Sequence, residues 1–218
     1  MASIPLSLDS ARRLPSEILL ATRSRDKTAE IMEIFSAAHR VQLVTLADLG
    51  ISPSADEDEL EIFPTFIENA LAKARYFAER TARVTLADDS GLMVDALGGR
   101  PGVRTKRFAA DHGVVTGNVD QANNDLLLSR LSHVPDRARG AQYVCAAALA
   151  APDATTLTSI GTCSGRITRE RAGTGGFGYD PLFYIADLAV TFAQLSRAQK
   201  NQRSHRARAL RALAAHLK

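Results

Sequence analysis

The chain has 218 residues, of which 45% are hydrophobic and 23% are charged, and this composition excludes a wholly disordered protein. A chain of this length buries about 70% of its unfolded surface, so it needs no disulfide or metal to stabilise a core. The net charge of +3 comes from a basic end, because seven basic residues and no acidic ones lie from Arg197 to Lys218.

The first half of the chain alternates short apolar runs with amphipathic stretches. Residues 1–16 lack periodicity, and we expect them to form a flexible extension ahead of a single domain at 17–218. Thr65 and Glu68, just after Pro64, form a capping box and predict a helix start. The predicted elements are, in order, a strand at 18–21, a polar turn at 22–27, a helix with an apolar face of Ile31, Ile34, Phe35 and Ala38, a strand at 41–44, an acidic loop at 48–64, a helix at 65–82 and a strand at 84–87 that ends at Asp88 and Asp89.

The second half resumes this alternation after a loop rich in glycine and proline at 98–102. Strands that alternate with helices, with one antiparallel stretch, predict an α/β fold with a mixed central sheet, flanking helices and two lobes around a cleft. The predicted elements are, in order, a helix near 120–131, paired strands at 141–150 and 155–168, a strand at 182–185 and a final helix that carries Leu210, Leu213, Ala214 and Leu217.

The cysteines and the apolar runs restrict the cellular compartment. Cys145 and Cys163 form no CxxC pair, which favours neither a disulfide scaffold nor a structural zinc site. The longest apolar run, near 144–151, is far shorter than a membrane span. Arg12-Arg13 is followed by too few apolar residues for an export signal. We therefore expect a reduced, cytoplasmic protein without a membrane partner.

Two segments of the first half are candidates for binding phosphate and a cation. The turn at 22–27 lies between a strand and a helix, where backbone N–H groups and a lysine attract an anion; an ordinary connector is the alternative. Asp88 and Asp89 stand at a predicted strand end, which suits magnesium bound together with substrate phosphates; turn capping is the alternative. The acidic residues at 56–61 are a source of a second ligand or form a solvated loop.

The glycine-rich stretch at 173–178, called the Gly-rich loop below, matches GxGxxG but does not open a helix, because a predicted strand follows it. We therefore exclude a nicotinamide site. Such a loop brings backbone amides close to a ligand, and Phe177 offers a face on which a base stacks. The alternative is that Phe177 and Tyr179 belong to the core.

Lys200, Ser204, His205 and Arg206 lie in the basic segment, just before the predicted last helix. Arginine and histidine donors suit a purine carbonyl or phosphates. The alternatives are a solvated cationic helix face for the basic run and a structural role for His205. A duplex-binding protein needs a broader basic footprint, so a small phosphate ligand fits better. No GxSxG motif is present, and neither cysteine has the context of a nucleophile, so acyl transfer lacks support.

These segments, in order, resemble one family, the inosine/xanthosine triphosphate pyrophosphatases. The resemblance runs from about residue 18 to the C-terminus, and each piece alone is weakly specific whereas the set is highly specific. The matching pieces are Ala21-Thr22 with Lys27 and Glu30, Thr65-Phe66 with Glu68-Asn69-Ala70 and Lys73-Ala74, Ala87-Asp88-Asp89-Ser90-Gly91-Leu92, Pro101-Gly102-Val103, the Gly-rich loop with Tyr179-Asp180-Pro181-Leu182-Phe183, and Lys200 with Ser204-His205-Arg206.

The resemblance implies a Mg²⁺-dependent cut between the α- and β-phosphates of a nucleoside triphosphate, in a homodimer with no stable nucleic-acid partner. Asp89 would hold the metal and act as the base or water-positioning group, and Glu61 would be the second metal ligand. Lys27 and Lys73 would be the catalytic cations that neutralise the triphosphate. The other residues that the resemblance assigns to substrate binding are Thr22, Arg23, Ser24 and Ser90 at the phosphates and Phe177, Gly178, Tyr179, Asp180, Lys200, His205 and Arg206 around the base.

The sequence departs from the family pattern at three places. Ser24 replaces an asparagine, so the first phosphate turn lacks an amide. Glu61 is followed by Ile62-Phe63 instead of Thr-Gly, which makes Glu61 the least secure assignment. The usual Tyr-Ser-Ala-Arg reads Arg104-Thr105-Lys106-Arg107, which keeps one arginine and adds charge. Two alternatives remain open: a pyrophosphatase with another base preference, and a nucleotide- or RNA-binding module without turnover.

Overall fold

A computed structural model describes residues 15–36, 41–114 and 117–216. Most of the predicted N-terminal extension therefore lies outside the described residues, as do Ala38 and Leu217, which the sequence places on helix faces. Within the described ranges, no helix combines the length and the apolar character that a membrane crossing requires.

The described residues contain seven strands: β1 Glu17–Leu20, β2 Gln42–Thr45, β3 Thr85–Val94, β4 Gly140–Ala150, β5 Thr156–Ile167, β6 Phe183–Ile185 and β7 Val190–Thr191. They form one sheet in the order β2-β1-β3-β4-β5-β6-β7. β1 is parallel to both β2 and β3, whereas each pairing from β3 to β7 is antiparallel. The predicted α/β fold with a mixed central sheet is confirmed.

The helices in the described ranges flank this sheet: α1 Arg25–Ser36, α2 Phe66–Thr81, α3 Val119–Arg130, α4 Arg197–Arg203 and α5 His205–Ala215. Thr65 caps α2 by accepting a hydrogen bond from the Glu68 amide, as the sequence predicts, and Ala82 ends the helix in the left-handed conformation. Two 3-10 helices, at Ala55–Glu61 and at Gly102–Arg107, border the cleft described below.

Both faces of the sheet are covered near β1 and β3. α1 and α5 pack on one face against side chains that include Ile18 and Leu86, and α2 packs on the other face, where Leu19 and Phe77 are buried. A third apolar cluster, which includes Tyr179, lies around the other end of β4 and β5. Phe77 and Tyr179 line the same cavity, so the cleft lies between two lobes.

The strand predicted to end at Asp88 and Asp89 instead continues through them to Val94. Its whole length pairs with β4, with Asp88 opposite Ala147 and Asp89 opposite Ala146. The strand-end prediction was wrong because long-range pairing with an apolar partner strand outweighs the local turn signal of Asp-Asp-Ser-Gly.

Four further elements differ from the sequence prediction. The acidic loop contains the 3-10 helix at Ala55–Glu61, which a capping box between Ser54 and Glu57 begins. His205 and Arg206 open α5 instead of preceding the last helix, because the Ser204 side chain accepts from the Ala207 amide and caps α5. The short helix α4 and the two-residue strand β7 are absent from the prediction.

Candidate active site

A cavity of about 440 Å³ separates the two lobes. The turn between β1 and α1, the helix α2 and the strand β3 border one side, and the Gly-rich loop and the start of α5 border the other. The residues assigned from the resemblance all line it, namely Thr22, Arg23, Ser24, Lys27, Glu61, Lys73, Asp89, Ser90, Phe177, Gly178, Tyr179, Asp180, Lys200, His205 and Arg206. The fold thus brings together side chains from segments that are distant in sequence.

Asp88 projects from β3 towards α1 and α5 and is almost fully buried. Its Oδ2 lies 3.3 Å from Lys27 Nζ and 3.2 Å from Arg206 Nε. Burial alone would raise the pKa of Asp88, but the charges of Lys27 and Arg206 hold that pKa well below its ordinary value. Asp88 is therefore a buried counter-ion for two of the assigned cations.

Asp89 projects from the opposite face of β3, towards α2 and the cavity. Its Oδ2 accepts a hydrogen bond from Asn69 Nδ2 at 3.0 Å, and its Oδ1 lies 3.9 Å from Lys73 Nζ. Burial, helped by the negative charge of Glu61, raises the pKa of Asp89 even though Lys73 is near. Burial therefore outweighs the nearby lysines in setting the pKa of Asp89.

Lys73, on α2, lies between the carboxylates of Glu61 and Asp89. Its Nζ donates to Glu61 Oε1 at 2.5 Å and to the main-chain carbonyl of Asp88 at 2.6 Å. Burial lowers the pKa of Lys73, but Asp89 and Glu61 outweigh burial and raise it, so the ammonium stays charged. Asn69 precedes Lys73 by one helical turn and shares its face, a spacing that could have identified Asn69 from the sequence.

The turn between β1 and α1 presents hydroxyl groups to the cavity. Thr22 Oγ1 accepts from the Ser24 amide at 3.2 Å, and Ser24 Oγ accepts from the Lys27 amide at 3.4 Å, which caps α1. Arg23 donates two hydrogen bonds to the Glu57 carboxylate, at 2.6 and 2.9 Å. Arg23 thus fastens this turn to the 3-10 helix that carries Glu61.

Asp180 shapes the Gly-rich loop, which lies at the end of the cavity away from α2 and the turn between β1 and α1. Its Oδ2 accepts from the Phe177 amide at 2.9 Å and from Lys200 Nζ at 2.5 Å, and its Oδ1 accepts from the Tyr143 hydroxyl at 3.2 Å. Gly176 has a φ of +70°, and a Cβ there would overlap the Asp180 carboxylate. Because both of its oxygens are engaged, Asp180 holds the loop in place.

His205 stacks on Tyr143 in the interior of the cavity, with ring centroids 4.6 Å apart and planes 10° apart. Burial, together with the charges of Arg206 and Lys200, lowers the pKa of His205 well below its ordinary value, so the ring is neutral. Within the described part of the chain, Nδ1 of His205 has no hydrogen-bond partner. Tyr143 was not assigned from the sequence, although an aromatic side chain in the predicted strand at 141–150 is a usable signal.

Glu30, on α1, joins the two ends of the cavity. Its carboxylate lies 2.7 Å from Lys200 Nζ and accepts a hydrogen bond from the Arg206 guanidinium. Arg206 also donates to Ser90 Oγ at 2.9 Å. Burial would raise the pKa of Glu30, but Arg206 and Lys200 lower it overall. Lys200 and Arg206 are thus buried network members and do not belong to a solvated helix face.

Comparison with known proteins places the chain in one family. The family model described as Ham1 family matches residues 18–216. The dITP/XTP pyrophosphatase of Nocardia farcinica is 48% identical over 200 residues, which cover 91% of this chain and 93% of that protein. The dITP/XTP pyrophosphatase of Shouchella clausii is 42% identical over 198 residues, which cover 91% and 94%.

Solved structures agree with the sequence comparisons. A HAM1 protein from Coxiella burnetii superposes with a TM-score of 0.79 at 34% identity, over 92% of this chain and 98% of that one. The Ham1 protein of Staphylococcus aureus gives a TM-score of 0.76 at 36% identity, over 92% and 97%. The resemblance inferred from the motifs is confirmed, and the chain belongs to the Ham1 family.

Proposed function

We propose that this protein is a Mg²⁺-dependent nucleoside triphosphate pyrophosphatase that converts ITP, dITP and XTP to the monophosphate and pyrophosphate and so keeps these bases out of DNA and RNA. The observation that carries the proposal is that one cavity places the carboxylates of Asp89 and Glu61 beside Lys73 at one end and the aromatic ring of Phe177 at the other. The relatives named dITP/XTP pyrophosphatases support the same reaction and substrates.

The phosphate end supplies positive charge and hydrogen bonds. Phosphoryl transfer needs neutralised phosphate oxygens and a positioned nucleophile more than it needs covalent catalysis. Lys27 and Lys73 provide the charge, and Thr22, Ser24 and Ser90 provide hydroxyl donors along the cavity wall. Asp89 accepts the proton of the water that attacks the α-phosphorus, and its raised pKa suits a base. Pyrophosphate leaves as the α–β anhydride bond breaks.

The carboxylates at this end fit a hard cation. Glu61 and Asp89 both face the Lys73 ammonium, at 2.5 and 3.9 Å, so two carboxylates converge on one positive charge. No cluster of three or more His, Cys, Asp or Glu side chains placed for a metal occurs among the described residues, and Mg²⁺ needs only one or two carboxylates beside substrate phosphates. We assign Asp89 and Glu61 to hold it. When bound, Mg²⁺ would neutralise phosphate charge and polarise the bond that breaks.

The base end favours a purine with a 6-oxygen. Phe177 supplies a stacking face, and Lys200 and the neutral His205 supply donors. Adenine has an amino group at this position, so each donor left unpaired costs about 1–3 kcal/mol of binding. Guanine shares the 6-oxygen, and its exclusion must involve its 2-amino group.

The test is the product released from ITP, XTP, GTP and ATP, with Mg²⁺ and with EDTA. We expect Mg²⁺-dependent pyrophosphate release from ITP and XTP, with GTP and ATP nearly untouched. Orthophosphate release would contradict the assigned bond. Turnover of other modified nucleotides alone would show another base preference, and binding without turnover would show a non-catalytic nucleotide- or RNA-binding module.

Three further properties remain predictions: the homodimer and the lack of a stable nucleic-acid partner, which the resemblance implies, and the cytoplasmic location, which the cysteines and the apolar runs favour. Sedimentation velocity at micromolar concentration tests the first. A filter-binding assay with duplex DNA and with RNA tests the third.

A further inference from the structure

The Gly-rich loop is fastened to α3 through both backbone polar groups of one residue. The Gly178 amide donates to Asp120 Oδ2 at 2.6 Å, and the Gly178 carbonyl accepts from Asn124 Nδ2 at 2.9 Å. Gly178 has a φ of +62°, a conformation that favours glycine, and it directly follows Phe177. The position of the Phe177 ring therefore depends on α3 as well as on Asp180.

Asp120 stands at the boundary between two cavities. It lines the main cleft, and it also lines a second cavity of about 320 Å³ behind the Gly-rich loop. The loop forms part of both linings, so the second cavity offers space into which it can retreat. Gly173, Gly176 and Gly178 all have positive φ, which leaves this backbone with unusual conformational freedom once a contact is lost.

α3 also supports the opposite wall of the cleft. Asn123 Oδ1 accepts from the Ala109 amide at 2.8 Å, and its Nδ2 donates to the Lys106 carbonyl at 3.1 Å. Consecutive turns of one helix thus hold the 3-10 helix at 102–107 and the Gly-rich loop. This arrangement fixes the spacing between the two walls at the base end.

We propose that Asp120 is a positioning residue for base binding, which acts through Gly178 to hold the Phe177 platform in the cleft. The choice of ITP as substrate rests on the proposed function, whereas hydrogen exchange of the Gly-rich loop tests the inference without it. Asp120 itself is exposed and makes one of two α3 contacts to Gly178. Its removal should loosen the loop without unfolding the protein, because its carboxylate supports no core cluster.

The experiment compares wild type with Asp120→Ala, Asp120→Asn and Asp125→Ala. Asn keeps an oxygen acceptor for the Gly178 amide, whereas Ala removes it. Asp125 is the matched control, because it is an exposed acidic residue of the same helix that pairs with Arg171 at 2.7 Å. The measurements are steady-state kinetics with ITP, the Kd of IMP by calorimetry, inhibition by pyrophosphate, and hydrogen exchange of peptides that cover 173–178.

For Asp120→Ala we expect the KM for ITP and the Kd of IMP to rise about tenfold, within the range that loss of a base stack covers. The kcat and the inhibition constant of pyrophosphate should stay within about twofold, since the phosphate end is unchanged. Exchange should quicken in the Gly-rich loop and not in α5. In Asp120→Asn the KM, the Kd and the exchange rate should stay close to those of the wild type, and Asp125→Ala should behave as wild type.

An unchanged KM together with unchanged hydrogen exchange in Asp120→Ala would overturn the inference. Pyrophosphate binding that weakens as much as ITP and IMP binding would also overturn it, because it would show a general structural defect. Faster exchange with an unchanged KM would also overturn it, since the loop would then not position the base. A wild-type protein that releases no pyrophosphate from ITP would instead refute the proposed function, and loop exchange in Asp120→Ala would still test the contact.

Discussion

Asp88 and Asp89 are neighbours on β3 whose carboxylates lie on opposite faces of the sheet. Asp88 contacts Lys27 and Arg206 on the α1 and α5 face, whereas Asp89 contacts Asn69 on the α2 face and opens onto the cleft. The sequence pair suggests two equivalent metal ligands, but the strand geometry gives the residues separate roles. Asp88 neutralises Lys27 and the buried Arg206, and Asp89 faces the cleft.

Asp89→Asn should abolish turnover and leave the fold intact. The substitution keeps the shape of the side chain and removes the charge that the proposed mechanism uses as base and metal ligand. Because burial already disfavours the charged form of Asp89, a neutral side chain does not destabilise the site. We expect pyrophosphate release to fall about 10²–10⁴-fold or more, with the melting temperature unchanged. Activity above about a tenth of the wild-type value would reject Asp89 as the catalytic carboxylate, since general base catalysis alone is worth more than that.

Asp88→Asn should chiefly lower stability. It leaves the buried Arg206 short of one counter-ion, and breaking a buried pair costs about 3–5 kcal/mol. The pKa of Asp88 is lowered in the folded state, so its contribution is present above about pH 4 and is lost as the pH falls further. Urea denaturation of wild type and variant at pH 7 and at pH 3 measures this difference. An equal free-energy gap at both pH values would contradict the ionic role of Asp88.

Local patterns predicted those parts of the fold whose causes are local. The limits of α2 follow from the Thr65 cap and a continuous apolar face, so sequence and structure agree within a residue. The extension of β3 through Asp88 depends on β4, more than 50 residues away in sequence, and no local signal shows it. The break at Ser204 between α4 and α5 was missed because a serine cap inside a helix-favouring, basic stretch is a weak signal.

The sequence predicted which residues line the candidate site, but it did not predict which of them contact one another. The motifs identified the residues around the cleft, because each motif can be recognised from the residue types at its own positions. The roles of Glu30, Asn69 and Tyr143 depend on burial and on which faces meet. Glu30 belongs to a matching motif that gives it no role, whereas the fold buries it between Lys200 and Arg206.

Phe177→Ala should weaken substrate binding more than it slows the chemical step. The Lys200 Nζ lies over the Phe177 ring, 4.5 Å from the ring centroid, at the edge of the cleft. Loss of a base-stacking face costs about 1–3 kcal/mol, so the KM for ITP should rise about 5- to 150-fold. Phe177→Tyr keeps the face and serves as the control. An unchanged KM in the alanine variant would remove Phe177 from the base site.

His205 should make the protein less stable in mildly acidic solution. Its pKa is lowered in the folded state, so the unfolded chain takes up a proton first when the pH falls below about 6.5. The free energy of unfolding should therefore decrease by about 1.4 kcal/mol per pH unit below that point. His205→Phe keeps a ring against Tyr143 and should flatten the slope. Equal slopes in wild type and variant would contradict a buried neutral His205.

Gly161→Ala should separate α5 from the sheet. Gly161 lies on β5 opposite Cys145, and a Cβ there would overlap the main-chain carbonyl of His205 and the main-chain nitrogen of Ala209. Backbone atoms cannot rotate away as a flexible side chain does, so α5 must shift. We expect a loss of about 1–3 kcal/mol in stability, which lowers the melting temperature by about 2–4 °C for each kcal/mol.

Because α5 begins with His205 and Arg206, the same shift should also raise the KM for ITP. Gly117→Ala is the matched control, since a Cβ there meets nothing within 4 Å among the described residues. Thermal unfolding and steady-state kinetics of both variants measure the two effects. A Gly161→Ala protein with wild-type stability and KM would mean that the contact between β5 and α5 does not set the position of the side chains proposed to bind the base.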